Sequence, residues 1–287
     1  MTRSAPPGDI AMDVRAPLRR PVLVPVHGGR ATSTVSRSEQ PSARAARPVD
    51  LEVSIPAYNE AGRLPRTLER TVEFLAQQPW SARLVVVDNG SSDGTADVVR
   101  AHIRTSGSKV PVELVGCARP GKGAAVRRAL LHSRARFVGF FDADLATPVE
   151  TLSIAMQHLE AGAAAVVGSR YTAGAQFVHA QPASRRLGGA AFRLMTRSLV
   201  KGVQDTQCGF KFFERAAIVP ALVSCRTSGF AFDVELLRHL QEAGLDIVEV
   251  PVAWSHASGS SFSPLKDGMS AFRTVLQLQR CAIGRAS

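Results

Sequence analysis

The chain has 287 residues, of which 45% are hydrophobic and 21% are charged, and its formal net charge is +11. This is the balance of a globular protein with ample core, which excludes a wholly disordered chain. No apolar run approaches the roughly 18–20 residues of a membrane span, and the four cysteines show neither a C-x-x-C pair nor a zinc spacing. We therefore expect reduced thiols in a cytoplasmic protein whose contact with any membrane is peripheral.

Positive charge is concentrated in the middle of the chain, where residues 101–200 carry 13 Lys or Arg but five Asp or Glu. A phosphate-bearing ligand or an anionic membrane surface fits this distribution. A basic nucleic-acid-binding protein without enzymatic activity is a distant alternative. Because the sequence has no RNP aromatic pair, zinc finger or helix-turn-helix signature, and only 6% aromatic residues, we expect no nucleic-acid partner.

Residues 1–48 differ in composition from the rest of the chain. They are rich in Pro, Ser, Ala, Gly and Arg and show no sustained period, so we expect a disordered leader. The apolar rhythm begins directly afterwards. We therefore predict one domain at 49–287, including a C-terminal segment on the acceptor side.

Strands and helices are predicted to alternate from residue 51 onwards. Short apolar runs predict strands at 51–57, 83–88, 110–115, 136–144 and 163–169. Helical spacing of Leu64, Leu68, Val72 and Leu75, a cap at Ser92 or Asp93, and the stretches 121–133 and 147–162 predict the helices between them. This order indicates an α/β protein with a doubly wound, mostly parallel sheet, whose ligands bind beyond the carboxyl ends of the strands.

The apolar run 138–141 ends at two carboxylates, Asp142 and Asp144. Residues i and i+2 of an extended segment point to the same side, so both could bind one Mg²⁺ or Mn²⁺ ion. Taken alone, the pair is better explained by the turn chemistry that Asp favours after a strand.

Other polar residues follow the neighbouring strands. Tyr58 and Glu60 come after the first strand, and Asp88, which could bind a ribose hydroxyl or cap the next helix, ends the second. Lys122 lies between two glycines at a helix start, where backbone N–H groups favour an anion such as phosphate. Solvated turns would have to explain each cluster separately.

Six segments, taken together and in this order, resemble glycosyltransferase family 2, and within it the dolichyl-phosphate β-glucosyltransferases more than the mannose synthases. The resemblance covers about residues 50 to 275 and implies a GT-A fold, an inverting mechanism, a nucleotide-sugar donor and a divalent metal. The segments are VSIPAYNE, VVVDNGSSDGT, GKGAAVRRAL, FFDADLATP, VVGSRY and DTQCGFKFF.

The resemblance also implies roles for single residues. Asp142 and Asp144 become the D-x-D pair that holds Mg²⁺ or Mn²⁺, with Asp144 as the direct ligand. The donor is expected to be UDP-glucose, and the acceptor a polyprenyl or dolichyl phosphate at the cytoplasmic face of a membrane. The nucleotide pocket is expected to contain Pro56, Ala57, Tyr58, Glu60 and Asp88.

Four positions depart from the family pattern. Leu145 stands where the glucosyl branch usually has Gly, Ala146 where the mannose synthases have Gln, and Asn89 where a second Asp is common, which is expected to weaken a polar contact. The late Gly-Ser-Lys element is Gly-Ser-Ser at 259–261, so Lys266 or His256 is expected to supply the basic group.

A basic stripe is predicted on the helix at 184–201. Arg186, Arg193 and Arg197 are spaced by seven and four residues, which places them on one face and predicts contact with anionic lipid and the acceptor phosphate. A solvated basic face is the alternative. The opposite, apolar face is expected to comprise Leu187, Leu194, Met195 and Leu199.

No Ser-His-Asp or Cys-His set stands out as a catalytic base. A phosphate acceptor needs none, because its second ionisation lies near pH 6. Asp205 and Gln207 are therefore expected to position acceptor or sugar, with Asp205 as the base if the acceptor is an alcohol. The alternative function is a family 2 transferase of mannose or another sugar to a soluble or glycan acceptor.

Overall fold

Strands and helices alternate along the chain in the computed structural model, which describes residues 49–177, 183–255 and 268–286, with backbone alone for 183–187 and 281–286. The strands are β1 (Leu51–Ala57), β2 (Ala82–Asp88), β3 (Val112–Gly116), β4 (Phe137–Phe141), β5 (Ala165–Ser169), β6 (Gln176–Phe177), β7 (Phe210–Glu214), β8 (Ile247–Pro251) and β9 (Ala253–Trp254). The helices are α1 (Leu64–Ala76), α2 (Thr95–Thr105), α3 (Lys122–His132), α4 (Thr151–Glu160), α5 (Ala183–Thr196), α6 (Arg215–Ser224), α7 (Phe232–Glu242) and α8 (Met269–Ala286).

Seven strands form one sheet in the order β3-β2-β1-β4-β7-β5-β8. Only β7 runs antiparallel to its neighbours, β4 and β5, while the other pairs are parallel. The predicted doubly wound, mostly parallel α/β sheet is therefore confirmed. Strands β6 and β9 form a separate parallel ribbon.

Apolar side chains cover both faces of the central strands. All five residues of β4 and of β5 are buried, as expected for strands between two helical layers. Helix α1 shows the predicted period, since Leu64, Leu68, Val72 and Leu75 are all buried against the sheet.

The parallel strands bring their carboxyl ends to one edge of the sheet. Tyr58 follows β1, Asn89 follows β2 and Asp142 follows β4. Because β7 is antiparallel, its first residues lie at this same edge, where the backbone N–H of Asp142 donates to the carbonyl of Gly209 (3.0 Å). The topology thus gathers residues from distant segments at one rim.

Several helix boundaries differ from the sequence predictions, and α4 begins at Thr151 rather than at 147. The N-cap of α2 is Gly94, with φ +86°, rather than Ser92 or Asp93, although the Asp93 carboxylate still accepts from the Thr95 N–H at 3.0 Å. Helix α5 ends at Thr196, so Arg197 lies just beyond it.

The apolar face predicted for α5 is wrong at one position. Leu194 is 70% exposed, while Phe192 and Leu199 are buried and Met195 packs beside them. Burial of Phe192 follows from its edge-to-face contact with Phe272 of α8, which turns Leu194 outward. The structure describes only the backbone of Leu187.

No helix within the described residues is long and apolar enough to cross a membrane. The predicted leader, 1–48, lies outside the described residues, as do Lys266, His256 and the Gly-Ser-Ser element at 259–261.

Candidate active site

A cavity of about 800 Å³ opens at the carboxyl edge of the sheet. Its walls come from the ends of β1 and β4, the start of α3, the loop between α6 and α7, and one side of α8. Seven of the residues predicted from the sequence lie in these walls: Pro56, Ala57, Tyr58, Glu60, Lys122, Asp142 and Asp144. The fold therefore brings together most of the predicted donor site, and the nucleotide contacts of these residues remain a prediction.

The two aspartates are held by short backbone contacts. The Asp144 carboxylate accepts from the Ala146 N–H at 3.0 Å. Leu145, directly after Asp144, adopts a left-handed conformation with φ +49°, which glycine would adopt without strain. Gly209 packs so closely that a Cβ there would lie 1.8 Å from Asp142 Oδ2. The backbone thus dictates the position of both carboxylates.

Lys122 contacts a carboxylate in this structure. Its Nζ lies 2.5 Å from Asp142 Oδ1 and 5.8 Å from the centre of the Phe140 ring. Burial opposes the charged amine, but the carboxylates of Asp142, Asp233 and Asp144 outweigh it and raise the pKa of Lys122. Lys122 therefore stays a cation in the cavity wall.

The carboxylates in the cavity carry excess negative charge. Burial raises the pKa of Asp144, and the neighbouring charge of Asp142 raises it further. Burial also raises the pKa of Glu60, with added repulsion from both aspartates, although Glu60 is paired with Arg63 at 2.7 Å. Lys122 alone does not neutralise this group of acids.

Two glycines of α3 serve a close packing contact. A Cβ on Gly121 would lie 2.3 Å from the Ser228 carbonyl oxygen, and one on Gly123 would lie 2.4 Å from Phe232 Cβ. The Ala124 N–H donates to the same Ser228 carbonyl at 3.0 Å. These glycines let the loop before α7 close against the start of α3.

That loop, residues 226–231, lines the cavity and was missed in the sequence analysis. Buried Glu235 holds it by accepting from the N–H groups of Arg226 (3.0 Å) and Thr227 (2.8 Å). Arg226 is exposed and adds a third cation to the wall, after Lys122 and Arg63. The Ser-Gly turn ahead of an amphipathic helix was the available signal.

Asn89 lines the cavity, whereas Asp88, predicted for this role, does not. Asp88 accepts from the Ser91 N–H at 3.1 Å, in the turn before α2, and is not the cap of that helix, which begins at Thr95. The Asn89 amide donates to the carbonyls of Cys117 (3.0 Å) and Arg119 (2.8 Å) and accepts from the Gly121 N–H (2.7 Å). The amide donates two hydrogen bonds that an ionised carboxylate could not donate, and the expected weakening of a polar contact at Asn89 remains a prediction.

Asp205 lies away from the cavity and is fully buried. Its two oxygens accept from Arg170 Nε (2.7 Å) and Nη2 (2.8 Å). Burial acts to raise the pKa of Asp205, but Arg170 outweighs it and the pKa is lowered. This arrangement does not support the predicted base role, since the carboxylate is a weak base with no access to a substrate.

Gln207 is half-buried and does not line the cavity either. Its amide donates to the adjacent Thr206 carbonyl at 3.4 Å, and its backbone N–H donates to Asp205. Gln207 is thus placed with the Arg170–Asp205 pair.

The predicted acceptor arginines lie on α5 or just after it, and the side chains of Arg193 and Arg197 are outside the cavity walls. Arg193 is half-buried with its guanidinium 3.8 Å above the Tyr171 ring, and Arg197 is exposed. The backbone of Arg186 belongs to the same helix, and its side chain is not described. Their contact with lipid or acceptor remains a prediction.

The sequence profile of the family described as glycosyl transferase family 2 matches residues 52–219, which is more than half of the chain. The chain belongs to glycosyltransferase family 2. Among its relatives are proteins named dolichyl-phosphate β-glucosyltransferase. The relative from Dictyostelium discoideum is 31% identical, over 81% of this chain and 75% of the relative. The relative from Drosophila melanogaster is 32% identical, over 85% of this chain and 79% of the relative. The human relative is 32% identical, over 75% of this chain and 70% of the relative.

Solved structures confirm the GT-A fold of this glycosyltransferase. It superimposes on glucosyl-3-phosphoglycerate synthase from Mycobacterium tuberculosis, solved with Mn²⁺, UDP-glucose and phosphoglyceric acid, with a TM-score of 0.61. The match covers 80% of this chain and 79% of that one at 20% identity, so it bears on the fold alone.

The residues of the D-x-D segment fit a divalent metal. The carboxylates of Asp142 and Asp144 repel each other and supply the hard oxygen ligands that Mg²⁺ and Mn²⁺ prefer. Among the residues that the structure describes, no cluster of three or more His, Cys, Asp or Glu forms a metal cage. Such a glycosyltransferase would complete the coordination with substrate phosphates and water, as is usual for Mg²⁺.

Proposed function

We propose that the enzyme transfers glucose from UDP-glucose to a polyprenyl phosphate of the dolichyl type at a membrane surface, with inversion at the anomeric carbon. The observation that carries the proposal is the similarity to dolichyl-phosphate β-glucosyltransferases, which extends over 75% to 85% of this chain in the three relatives compared. This share of the chain is larger than the segment 52–219 that carries the family match.

The donor is proposed to bind in the cavity with its diphosphate toward the D-x-D segment. Mg²⁺ or Mn²⁺ held by Asp142 and Asp144 would neutralise the charge of the departing diphosphate. Lys122 holds Asp142 in place through its ion pair, and Arg226 faces the same space with an exposed cation. Arg63 keeps Glu60 in the wall beside Asp144.

The acceptor phosphate is proposed to attack without a general base. Its oxygen is already anionic near neutral pH. The burial of Asp205 against Arg170 fits this chemistry, because a phosphate acceptor needs no carboxylate base within reach.

Membrane contact is proposed for the outer faces of α5 and α8, placing the enzyme peripherally on the cytoplasmic leaflet. Exposed Leu194 on α5 lies beside the arginine stripe, and exposed Met269 and Leu276 on α8 lie beside Arg273 and Arg280. Apolar and basic side chains on one helix surface suit an anionic lipid interface.

The test is transfer of label from UDP-[¹⁴C]glucose to polyprenyl phosphate in anionic vesicles with Mn²⁺ or Mg²⁺. We expect an acid-labile glycolipid, abolished by chelator and lowered roughly 10²- to 10³-fold in Asp144→Asn. GDP-mannose and UDP-N-acetylglucosamine serve as donor controls. Label that enters only a soluble or glycan acceptor would establish the alternative function instead.

A vesicle assay tests the membrane contact separately. Replacing Arg186, Arg193 and Arg197 together with Gln should weaken binding to anionic vesicles about a hundredfold, from about 1 kcal/mol per arginine with a discount for non-additivity. UDP-glucose binding should stay at the wild-type level. Unchanged vesicle binding would identify the stripe as a solvated face.

A further inference from the structure

Three aromatic side chains form a cluster outside the donor cavity. The Phe177 ring lies 5.9 Å from Tyr171 and 6.1 Å from Trp254, tilted and edge-on, as packed aromatic pairs prefer. Phe177 is 47% exposed, and the other two rings are half-buried. Phe177 thus presents apolar surface to solvent, while Trp254 also packs against the main core.

Two arginines flank this cluster. Arg170 lies 5.7 Å from the Tyr171 ring and 5.6 Å from Trp254, but its charge is matched by Asp205. Arg193 stacks on Tyr171 at 3.8 Å, and no carboxylate among the described side chains forms an ion pair with it. The cluster therefore combines apolar rings with one uncompensated cation.

The cluster is attached to the D-x-D loop. The Ser255 N–H, next to Trp254, donates to the Ala146 carbonyl at 2.9 Å, two residues after Asp144. In sheet order, Tyr171 follows β5 on one side of β4, while β1 and β2 contribute to the donor cavity on the other. The aspartates thus lie between the donor cavity and the aromatic cluster.

We infer that Tyr171, Phe177 and Trp254 bind the first isoprene units of the acceptor while Arg193 faces its phosphate. The inference rests on the proposed function and deepens it. An amphiphile with an anionic head and a branched apolar chain matches a cation stacked on aromatic rings, and attachment to the D-x-D loop places its head beside the donor. A soluble acceptor without a chain would leave the exposed Phe177 ring without a role.

Tryptophan emission gives a binding readout that does not depend on turnover. The sequence has two tryptophans, so Trp80→Phe leaves Trp254 as the single emitter. Trp80 packs on Phe74, which belongs to α1. We expect a saturable blue shift of Trp254 emission with farnesyl phosphate in detergent, and none with inorganic phosphate.

Kinetics of Phe177→Ala test the same contact. We expect the KM for farnesyl phosphate to rise about tenfold, equivalent to about 1.4 kcal/mol, with the KM for UDP-glucose unchanged. Ile103→Ala, which removes a similarly exposed apolar side chain from α2, is the matched control and should leave both values unaltered. A normal farnesyl phosphate KM in Phe177→Ala, or an unresponsive Trp254, would overturn the inference.

Two further outcomes distinguish a failure of this inference from a failure of the proposed function. If Phe177→Ala weakens vesicle binding while the KM in detergent is unchanged, the cluster is a bilayer anchor and the inference is wrong. If wild-type enzyme transfers glucose to no polyprenyl phosphate, the proposed function fails, and the emission titration with farnesyl phosphate still decides whether the cluster binds an isoprenoid.

Discussion

Gly209→Ala should disable metal binding while sparing the fold. The added Cβ would lie 1.8 Å from Asp142 Oδ2 and 2.3 Å from its Cγ, whereas Cβ atoms essentially never come within 3.0 Å of another heavy atom. The Asp142 carboxylate therefore has to move by roughly 1.2 Å. Gly209 has no left-handed backbone, so alanine introduces no dihedral strain there.

The displaced group is the end of a flexible side chain, so the substitution should lower the free energy of unfolding only slightly. Asp142 loses its contact with Lys122, an ion pair with a partly exposed carboxylate that contributes at most about 1 kcal/mol. A metal ligand moved by this distance is expected to lower Mn²⁺ affinity roughly 10- to 100-fold, the range seen when the support of a ligand is lost.

The assay is Mn²⁺ titration by electron paramagnetic resonance, with and without UDP, alongside thermal unfolding. Gly116→Ala is the control, because a Cβ there meets nothing within 4 Å. Wild-type Mn²⁺ affinity in Gly209→Ala would refute the reasoning, since it would mean that Asp142 is not held by this contact or does not bind the metal. A large fall in melting temperature would refute the claim that the fold is spared.

Substitutions at three other positions test the surrounding structure. Asp205→Asn should lower the free energy of unfolding by about 3–5 kcal/mol at neutral pH, because it leaves Arg170 buried without its partner. Folding lowers the pKa of Asp205, so its contribution to the free energy of unfolding is present above the ordinary Asp pKa and is lost as pH falls through the folded value. Urea titrations should therefore show the stabilities of mutant and wild type converging below about pH 4. Asn89→Asp should cost about 1–3 kcal/mol in the same assay, because a carboxylate cannot donate to the two carbonyls that the amide joins, and a wild-type midpoint would contradict this. Leu145→Gly should change the free energy of unfolding by less than about 1 kcal/mol, because relief of the left-handed backbone strain offsets the lost packing. Leu145→Ala keeps the strain and should be clearly less stable than the glycine variant.

The sheet and the acidic pair were predictable because their signals are local. The apolar run of β4 and the four-residue period of Leu64, Leu68 and Val72 reflect burial of neighbouring residues, which a short window of sequence records. The D-x-D spacing placed Asp142 and Asp144 at the end of a strand for the same reason.

The rest of the site depends on contacts between distant segments. Nothing near Asp205 in the sequence shows that Arg170, 35 residues earlier, takes both of its oxygens. Glu235 holds the loop at 226–227 only because α7 folds back on it. The outward turn of Leu194 likewise results from Phe192 packing on Phe272 of another helix.

One wall of the donor cavity comes from α8, through Ser270, Ala271, Thr274 and Gln277. These residues, like the loop at 226–231, lie beyond the segment 52–219 that carries the family match. A fragment cut for expression at the boundary of that segment would keep the D-x-D pair and lose half of the chamber that surrounds it. Exchange of α8 between family members would, by the same geometry, change this wall of the cavity without touching the aspartates.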